Sequence, residues 1–409
     1  MTDPIVMTLS MIMVGQILLS VPVLLTRAKK SVICLPLALF LFANGALAME
    51  PVVSTYFPNW YQLYSALAFP ALFVLAPSLW FYVEGITAEK PWQLNSTQAR
   101  HFVLLWPAIL ISVVMMFLPK DMHTAIFIDD ADLSDPLTCT LMVSILIIIL
   151  LWLGQCVYTI YRIIHRLVAY RQQLKNVFSN NDDKELNWIN WLMFVAISAW
   201  LFSLATLFSS SLFDNLLFNL RTESLLLLLL IWSLAHFGLQ QKPVLTEYNE
   251  KNNLNSTLNN ESVSETVLDI ESNDNQSGTT PESPKKYQRS ALSVEQATRI
   301  AGKINNVMEN DKLYLDSSLS LQKLANHVAI SPNYISQTLN ETLSANFFDF
   351  VNQWRIEAAK PKIIANKNTV LDIALEVGFN ARSSFYKAFK QETGQTPSEY
   401  RKQLEKTER

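Results

Sequence analysis

The residues that could take part in catalysis or bind a metal are few and scattered along this chain of 409 residues. The five histidines have no ligand spacing: His101, His123, His165, His236 and His327. The three cysteines suggest neither a zinc site nor a disulfide framework: Cys34, Cys139 and Cys156. With nine glycines in the whole chain, no phosphate-binding loop or nucleophile elbow occurs. The sequence therefore predicts no enzyme, no metal and no cofactor.

Arg221 and Glu223 are the charged pair that stands out, because they lie inside an otherwise apolar run, residues 216–238. Charges within a membrane segment often mark function, so the pair could sense a signal. Alternatively, the run ends near the outer membrane surface there, and the long arginine reaches the polar interface. The sequence leaves both interpretations open.

Seven apolar runs predict a bundle of transmembrane helices over residues 1–240. Half of the chain is hydrophobic and 16% is charged, whereas soluble domains are about 25% charged. The runs have the length needed to cross a bilayer: 5–26, 32–49, 60–83, 101–118, 137–161, 188–208 and 216–238. A lipid bilayer is the expected surrounding, and Gln16, Asn44, Gln62 and Gln155 are each expected to make hydrogen bonds between helices.

Positive charge alternates between the predicted loops. Ten Lys and Arg residues follow the first, third and fifth runs, whereas Lys120 alone follows the second, fourth and sixth. By the positive-inside rule, the N-terminus lies outside and the C-terminus in the cytoplasm. After the fifth run, residues 161–175 predict a basic helix that leaves the bilayer.

The segment 241–288 is predicted to be a disordered, acidic linker, since it is rich in Asn, Ser, Thr and Glu. A coil of this length spans roughly 35–40 Å, and so flexible a tether transmits neither rotation nor piston movement. Two active routes for a signal remain: association of membrane domains, or folding of the acidic linker onto the C-terminal domain. A spacer that only keeps the domain soluble is the third interpretation.

Residues 289–409 contain an internal repeat of helical apolar faces. Leu321, Leu324, Ala325 and Val328 recur 49 residues later as Val370, Ile373, Ala374 and Val377. A tight turn follows each set, at residues 329–331 and 378–380. A second helix is then predicted from Pro332 to Leu343, and another from Ala381 to Thr393. This pattern predicts two helix-turn-helix motifs. Thr396 and Glu399 form a capping box for a last helix.

One stretch carries a specific resemblance: Ile373-Ala374-(x)3-Gly378-Phe379-(x)5-Phe385-(x)3-Phe389-Lys390-(x)3-Gly394-x-Thr396-Pro397-(x)2-Tyr400-Arg401. It resembles the signature of the AraC/XylS family of bacterial transcription regulators. The apolar half resembles the seven-helix membrane domain of some members, for example at residues 77–83 and 101–103. The resemblance implies an all-α protein in the bacterial cytoplasmic membrane, whose seven-helix C-terminal domain binds double-stranded DNA in two successive major grooves. A homodimer, an unknown small-molecule or membrane signal and contact with RNA polymerase are further expectations.

The family's DNA-contacting positions carry over residue by residue. The implied base contacts are Asn333, Ser336, Gln337, Arg382, Ser383, Tyr386 and Lys387. Their donors and acceptors suit guanine and adenine edges in the major groove. The implied phosphate contacts are Lys323, Lys390, Arg401 and Lys402. Arg355 matches a family arginine expected to be structural and to pair with a carboxylate.

Two departures from the family pattern concern helix ends. Ser344 stands where glycine is frequent, which affects a helix cap. Pro361 is expected to kink or end the helix that connects the two motifs, because proline removes a backbone hydrogen bond.

A receptor or transporter whose helical tail binds a protein partner is the alternative function, and an enzyme in the membrane half is a third. Residues 285–409 hold 18 basic and 13 acidic residues. This basic charge, with polar faces on the second helices, favours the DNA-binding regulator.

Overall fold

The computed structural model describes residues 3–29, 31–119, 122–123, 136–181, 186–212, 220–241, 243–246, 248 and 292–407. Within these ranges the protein is helical, and extended backbone pairs at one isolated antiparallel bridge, between Phe178 and Ser320. The all-α prediction is confirmed. The predicted linker, residues 241–288, lies largely outside the described residues, as does the acidic loop at residues 120–135.

The chain divides into two compact units. The apolar unit comprises Met1–Val168 and Leu186–Asn249, and the C-terminal unit comprises Ala169–Glu185 and Glu250–Arg409. The apolar unit contains these helices: α1 (Pro4–Ala28), α2 (Cys34–Ala48), α3 (Glu50–Tyr56), α4 (Tyr61–Ala68), α5 (Ala71–Ile86), α6 (Leu105–Phe117), α8 (Asn187–Leu212) and α9 (Leu220–Gln240). Helix α7 (Pro136–Val177) runs without a break from the first unit's sequence into the second's.

Four helical segments of the described chain are long and apolar enough to cross a membrane: Pro4–Ala28, Cys34–Tyr56, Pro136–Val177 and Leu220–Thr246. A fifth results if the bent pair Pro58–Ala68 and Ala71–Ile86 is one span, with an angle of 42° between its halves. Helix α6 is apolar but short, with 13 residues. Helix α8 covers the sixth predicted run. The structure therefore supports several spans, while the count of seven stays a prediction.

Close backbone contacts hold the apolar unit together. Helix α2 packs against α1 and α5, and α9 packs against α1 and α8. A Cβ atom on Gly85 would lie 2.9 Å from a side-chain carbon of Ile33, and one on Gly238 would lie 2.6 Å from Leu37. Such small residues let helices approach when little polar attraction is available.

Polar side chains add hydrogen bonds between these helices. Gln62 donates to the carbonyl of Leu118 at 2.6 Å, and Gln155 donates to that of His101 at 2.9 Å. The predictions for Gln62 and Gln155 are confirmed. The prediction for Asn44 is wrong, because its side chain donates to the Phe40 carbonyl of its own helix at 2.8 Å, and the prediction for Gln16 stays a prediction. Many large apolar side chains face outwards; Leu19, Trp106 and Phe117 are each about three-quarters exposed. An apolar exterior of this kind suits contact with lipid.

The C-terminal unit contains α10 (Val294–Asn306), α11 (Leu321–Val328), α12 (Pro332–Gln337), α13 (Phe347–Ala365), α14 (Val370–Glu376), α15 (Arg382–Thr393) and α16 (Pro397–Thr407). One buried cluster includes Leu324, Ile335 and Phe347, and a second includes Phe385 and Phe389. The two repeats therefore each have a core of their own. The helix predicted from Pro332 to Leu343 is an α-helix to Gln337 and continues as a π-helix over Thr338–Thr342.

Ser344 and Pro361 are the two positions of this unit that depart from the family pattern. Ser344, where glycine is frequent in the family, has φ of 51°, a left-handed conformation that glycine adopts at less cost. Helix α13 continues past Pro361 to Ala365, so Pro361 does not end this helix, and the alternative expectation of a kink stays a prediction. Pro361 and Glu357, whose carbonyl loses its partner, are both exposed. Water can therefore replace the missing hydrogen bond.

Candidate nucleic-acid interface

Helix α12 presents the first group of predicted base contacts. Its N-cap, Ser331, accepts a hydrogen bond from the Tyr334 amide, and Pro332 occupies the first helical position. Ile335 is buried, which turns Asn333 outwards, while Ser336 and Gln337 are partly exposed. The Gln337 amide donates to the Glu341 carboxylate at 3.0 Å. These groups are neutral and capable of both donating and accepting.

Helix α15 presents the second group, and its chemistry is cationic. Phe385 and Phe389 face the core, whereas Arg382, Ser383 and Lys387 are exposed. The Arg382 guanidinium donates to the Tyr386 hydroxyl at 2.9 Å and lies 5.0 Å from the centre of that ring. This contact pre-orients the guanidinium, which lowers the entropy lost when it binds a base edge.

The two helices present their polar residues in the same register. Counted from the N-caps, Ser331 and Ala381, the second positions hold Asn333 and Ser383. The fifth positions are Ser336 and Tyr386, and the sixth are Gln337 and Lys387. Spacings of three and four place these positions on one helical face. The structure thus brings each predicted set together on its own helix.

The predicted phosphate contacts differ in whether their side chains already bind a partner within the protein. Lys323 donates to Asp316 at 2.9 Å and to the Ser318 hydroxyl at 2.6 Å. Burial alone would raise the pKa of the Asp316 carboxyl, but hydrogen bonds from Lys323 and Ser318 hold it below its usual value. Arg401 donates to the Asn366 side chain. Lys390 and Lys402 are exposed and have no ion-pair partner within the described residues.

Arg355 is fully buried, as expected for a structural residue, but its partners differ from the prediction. Its guanidinium donates to the carbonyls of Tyr314 at 2.7 Å and Asp316 at 2.9 Å. It also donates to the carbonyl and hydroxyl of Ser179, at 3.1 and 3.2 Å. The Asn352 side-chain oxygen accepts a longer bond at 3.4 Å, so neutral oxygens replace the expected carboxylate. Burial lowers the pKa of Arg355 to about 10, so it stays charged at neutral pH.

Sequence reasoning did not find Ser179, because nothing near residue 179 resembles a DNA-binding motif. Ser179 follows α7, and its amide and hydroxyl both donate to the Leu319 carbonyl, at 3.2 and 2.6 Å. The preceding helical turns bury Tyr170 and Leu174. The spacing of these two residues was the available signal, since it predicts a helix that packs against protein.

Arg221 and Glu223 are placed in different surroundings in the first turn of α9. Arg221 forms an ion pair with Asp3, near the N-terminus. Glu223 lines a cavity of about 340 Å³ within the apolar unit. Asn44, Cys156 and Thr159 also line this cavity, whose remaining lining is mostly Leu, Ala, Ile and Met.

Comparison with known proteins supports the class that these helices define, a helix-turn-helix DNA-binding domain. Residues 324–403 match a family model described as "Helix-turn-helix domain". An HTH-type transcriptional regulator of Staphylococcus aureus strain COL is 38% identical over 99 residues. That match covers 24% of this chain and 13% of the relative. The melibiose operon regulatory protein of Escherichia coli K12 is 29% identical over 87 residues, which cover 21% of this chain and 29% of that protein.

Two solved structures are also similar to part of the chain. The C-terminal domain of the two-component response regulator yesN from Fusobacterium nucleatum is 29% identical and covers 25% of this chain and 98% of that structure, with a TM-score of 0.23. The C-terminal domain of AraT, a response regulator from Geobacillus stearothermophilus, is 27% identical and covers 28% and 88%, with a TM-score of 0.23. From the sequence matches, residues 324–403 of this chain form a helix-turn-helix domain. The matched curated relatives are transcription regulators.

Proposed function

We propose that the protein is a membrane-tethered regulator of transcription that binds specific DNA sequences with two helix-turn-helix motifs, α11–α12 and α14–α15. Helices α12 and α15 would enter successive major grooves. The shared register of their polar faces is the observation that carries this proposal. A domain that merely packed against a protein partner would have no need for matching polar positions on two separate helices.

The membrane part of the proposal is supported by the long apolar helices and by their apolar exterior. The charge asymmetry of the predicted loops supports an N-terminus outside and a DNA-binding domain in the cytoplasm of a bacterium. Seven spans agree with this orientation, whereas six or eight would leave the DNA-binding domain outside. A reporter enzyme active only in the periplasm, fused after Gln241, should be inactive. High activity would contradict both the topology and DNA binding in the cell.

The cavity lined by Glu223 is the proposed site for a signal. Its volume and mostly apolar lining suit a small apolar molecule. A single carboxylate in such a lining would favour a ligand with a cationic or hydrogen-bond-donating group. Arg221, through its ion pair with Asp3, would hold the first turn of α9 in place. A homodimer and contact with RNA polymerase stay predictions from the resemblance.

Direct DNA binding tests the core of the proposal. The fragment 285–409 should bind duplex DNA with an affinity that falls steeply as salt rises, because lysines and arginines displace counterions from phosphates. Replacing Gln337 and Arg382 together by alanine should remove the preference for specific sites while leaving weak binding to any duplex. A fragment that folds but binds no duplex at low salt would contradict the proposal.

A further inference from the structure

Arg355 lies where three segments of the C-terminal unit meet. The carbonyls of Tyr314 and Asp316 belong to the loop that leads into α11. Phe379, in the turn between α14 and α15, lies with its ring centre 5.4 Å from the guanidinium. Ser179, just after α7, supplies two further acceptors. One buried side chain therefore contacts the loop before α11, the turn between α14 and α15, and a segment distant in sequence.

The packing around this arginine is tight on the side of the second helix pair. Gly378 has φ of 96°, and a Cβ atom there would lie 2.6 Å from the Tyr314 carbonyl and 3.1 Å from Nε of Arg355. The turn thus rests directly on the arginine and on the loop before α11. A shift of the guanidinium would alter how the two helix pairs meet.

Residues 178–181, here called the docked segment, complete the hydrogen bonding of Arg355. A buried guanidinium needs acceptors for its N–H groups, because an unpaired buried charge is costly. Two of its bonds end on Ser179. The segment is also fixed by the backbone bridge between Phe178 and Ser320. Asn181 is buried, and its side-chain amide has no hydrogen-bond partner within the described residues, so seating the segment has a cost as well as a gain.

We propose that the docked segment is a regulatory element that sets the angle between the two helix pairs through Arg355. When the docked segment is bound to Arg355, the contact between the two helix pairs is rigid, and the recognition helices α12 and α15 are pre-arranged for adjacent half-sites. When the segment dissociates, this contact loosens and the affinity for DNA falls. The inference rests on the proposed DNA-binding function. Besides the predicted linker, α7 is then a second covalent connection through which a signal could reach the DNA-binding domain. This helix contains the apolar run 137–161 and ends at Val177, immediately before the docked segment.

A disulfide trap tests whether the segment docks in the full chain. Phe178→Cys and Ser320→Cys would be combined in the full-length protein in lipid nanodiscs, with a protease site inserted near residue 270. After oxidation and cleavage, the two fragments should stay joined until a reductant is added. Each single cysteine variant should give separate fragments. Failure of the double variant to join them would overturn the docking, whatever the protein does with DNA.

DNA binding by the same full-length protein tests the regulatory role. Ser179→Ala should weaken binding to DNA with two adjacent half-sites about tenfold, because a hydrogen bond to a charged group is lost at the contact between the two helix pairs. Binding to a single half-site should change less than twofold. Thr298→Ala, which deletes an exposed hydroxyl bonded only to its own helix, is the matched control. An equal effect of Ser179→Ala on both DNAs, or none on either, would overturn the regulatory role. If the unmodified chain binds neither DNA, the proposed function fails instead, and the disulfide result still decides the docking.

Discussion

The two turns that join α11 to α12 and α14 to α15 share one backbone hydrogen bond but have different residues at the left-handed position. The Ile330 amide donates to the Ala325 carbonyl, as the Phe379 amide does to that of Ala374, 49 residues later. The residue before each donor has a left-handed backbone. It is Ala329 in the first turn, with φ of 54°, and Gly378 in the second, with φ of 96°. The repeat therefore preserves the turn while its surroundings differ.

The difference shows what demands glycine here. A left-handed residue with a side chain is strained but tolerable where space is open, as at Ala329. Gly378 is different because backbone carbonyls lie within 2.8 Å of where its Cβ would be. Contact with Arg355 and the loop before α11, rather than the turn itself, requires the glycine. The same contrast extends to function, since the first helix pair offers neutral polar groups and the second offers cations.

The largest expected effect comes from filling the space at Gly378. Gly378→Ala should lower the free energy of unfolding of the 285–409 fragment by about 3 kcal/mol, because it adds steric overlap to backbone strain. Gly394→Ala is the control: its φ is 76°, but nothing lies within 4 Å of the added Cβ. It should cost about 1 kcal/mol. Urea unfolding measures both, and equal losses would show that crowding plays no part.

The second prediction separates the helix pairs by sequence preference. Arg382→Ala should weaken specific DNA binding by about 1–3 kcal/mol and relax preference at one base pair in one half-site. Gln337→Ala should relax a position in the other half-site. Selection of binding sites from random duplexes measures both. An Arg382→Ala protein with unchanged preference would remove this residue from the base contacts.

The third prediction compares the proposed phosphate contacts. Lys390→Ala should weaken binding to all sequences alike and reduce the slope of log affinity against log salt by about one. Lys323→Ala should change that slope less, since Lys323 is already paired with Asp316. Titrations at several salt concentrations give the slopes. A larger change for Lys323 would mean that its ion pair opens when DNA binds.

The smallest effect is expected at Ala329. Ala329→Gly relieves the left-handed strain but gives the unfolded chain more freedom, and the two effects nearly cancel. The free energy of unfolding should change by less than about 0.5 kcal/mol. Its contrast with Gly378→Ala is the sharpest test of the difference between the two turns.

Local patterns in the sequence predicted much of the C-terminal domain. The apolar faces of α11 and α14 and the capping box at Thr396 and Glu399 depend on neighbours within a few residues, so they can be recognised directly. Hydrogen bonds from Thr396 also lower the pKa of the Glu399 carboxyl. The apolar residues Ile335 and Phe385 predicted which side of α12 and of α15 is buried, and therefore which side faces outwards.

Features that depend on distant residues could not be predicted in this way. The backbone carbonyls that accept from Arg355 lie 39 to 176 residues away in sequence, and no local pattern links Ser179 to Arg355. The sequence left open whether Pro361 kinks or ends α13, because it could not show that the affected carbonyl is accessible to water. The sensing role of Arg221 and Glu223 stays a proposal for the same reason, since a cavity is formed by several helices together.

Genome-wide crosslinking and immunoprecipitation of the tagged full-length protein tests the central claim most directly. A membrane-tethered regulator with two recognition helices should enrich discrete promoter regions whose shared motif has two half-sites about 10 base pairs apart. Replacing Gln337 and Arg382 by alanine should abolish the enrichment while the protein stays in the membrane fraction. Enrichment equal to that of the doubly substituted protein, or recovery of the protein from the soluble fraction, would contradict the account.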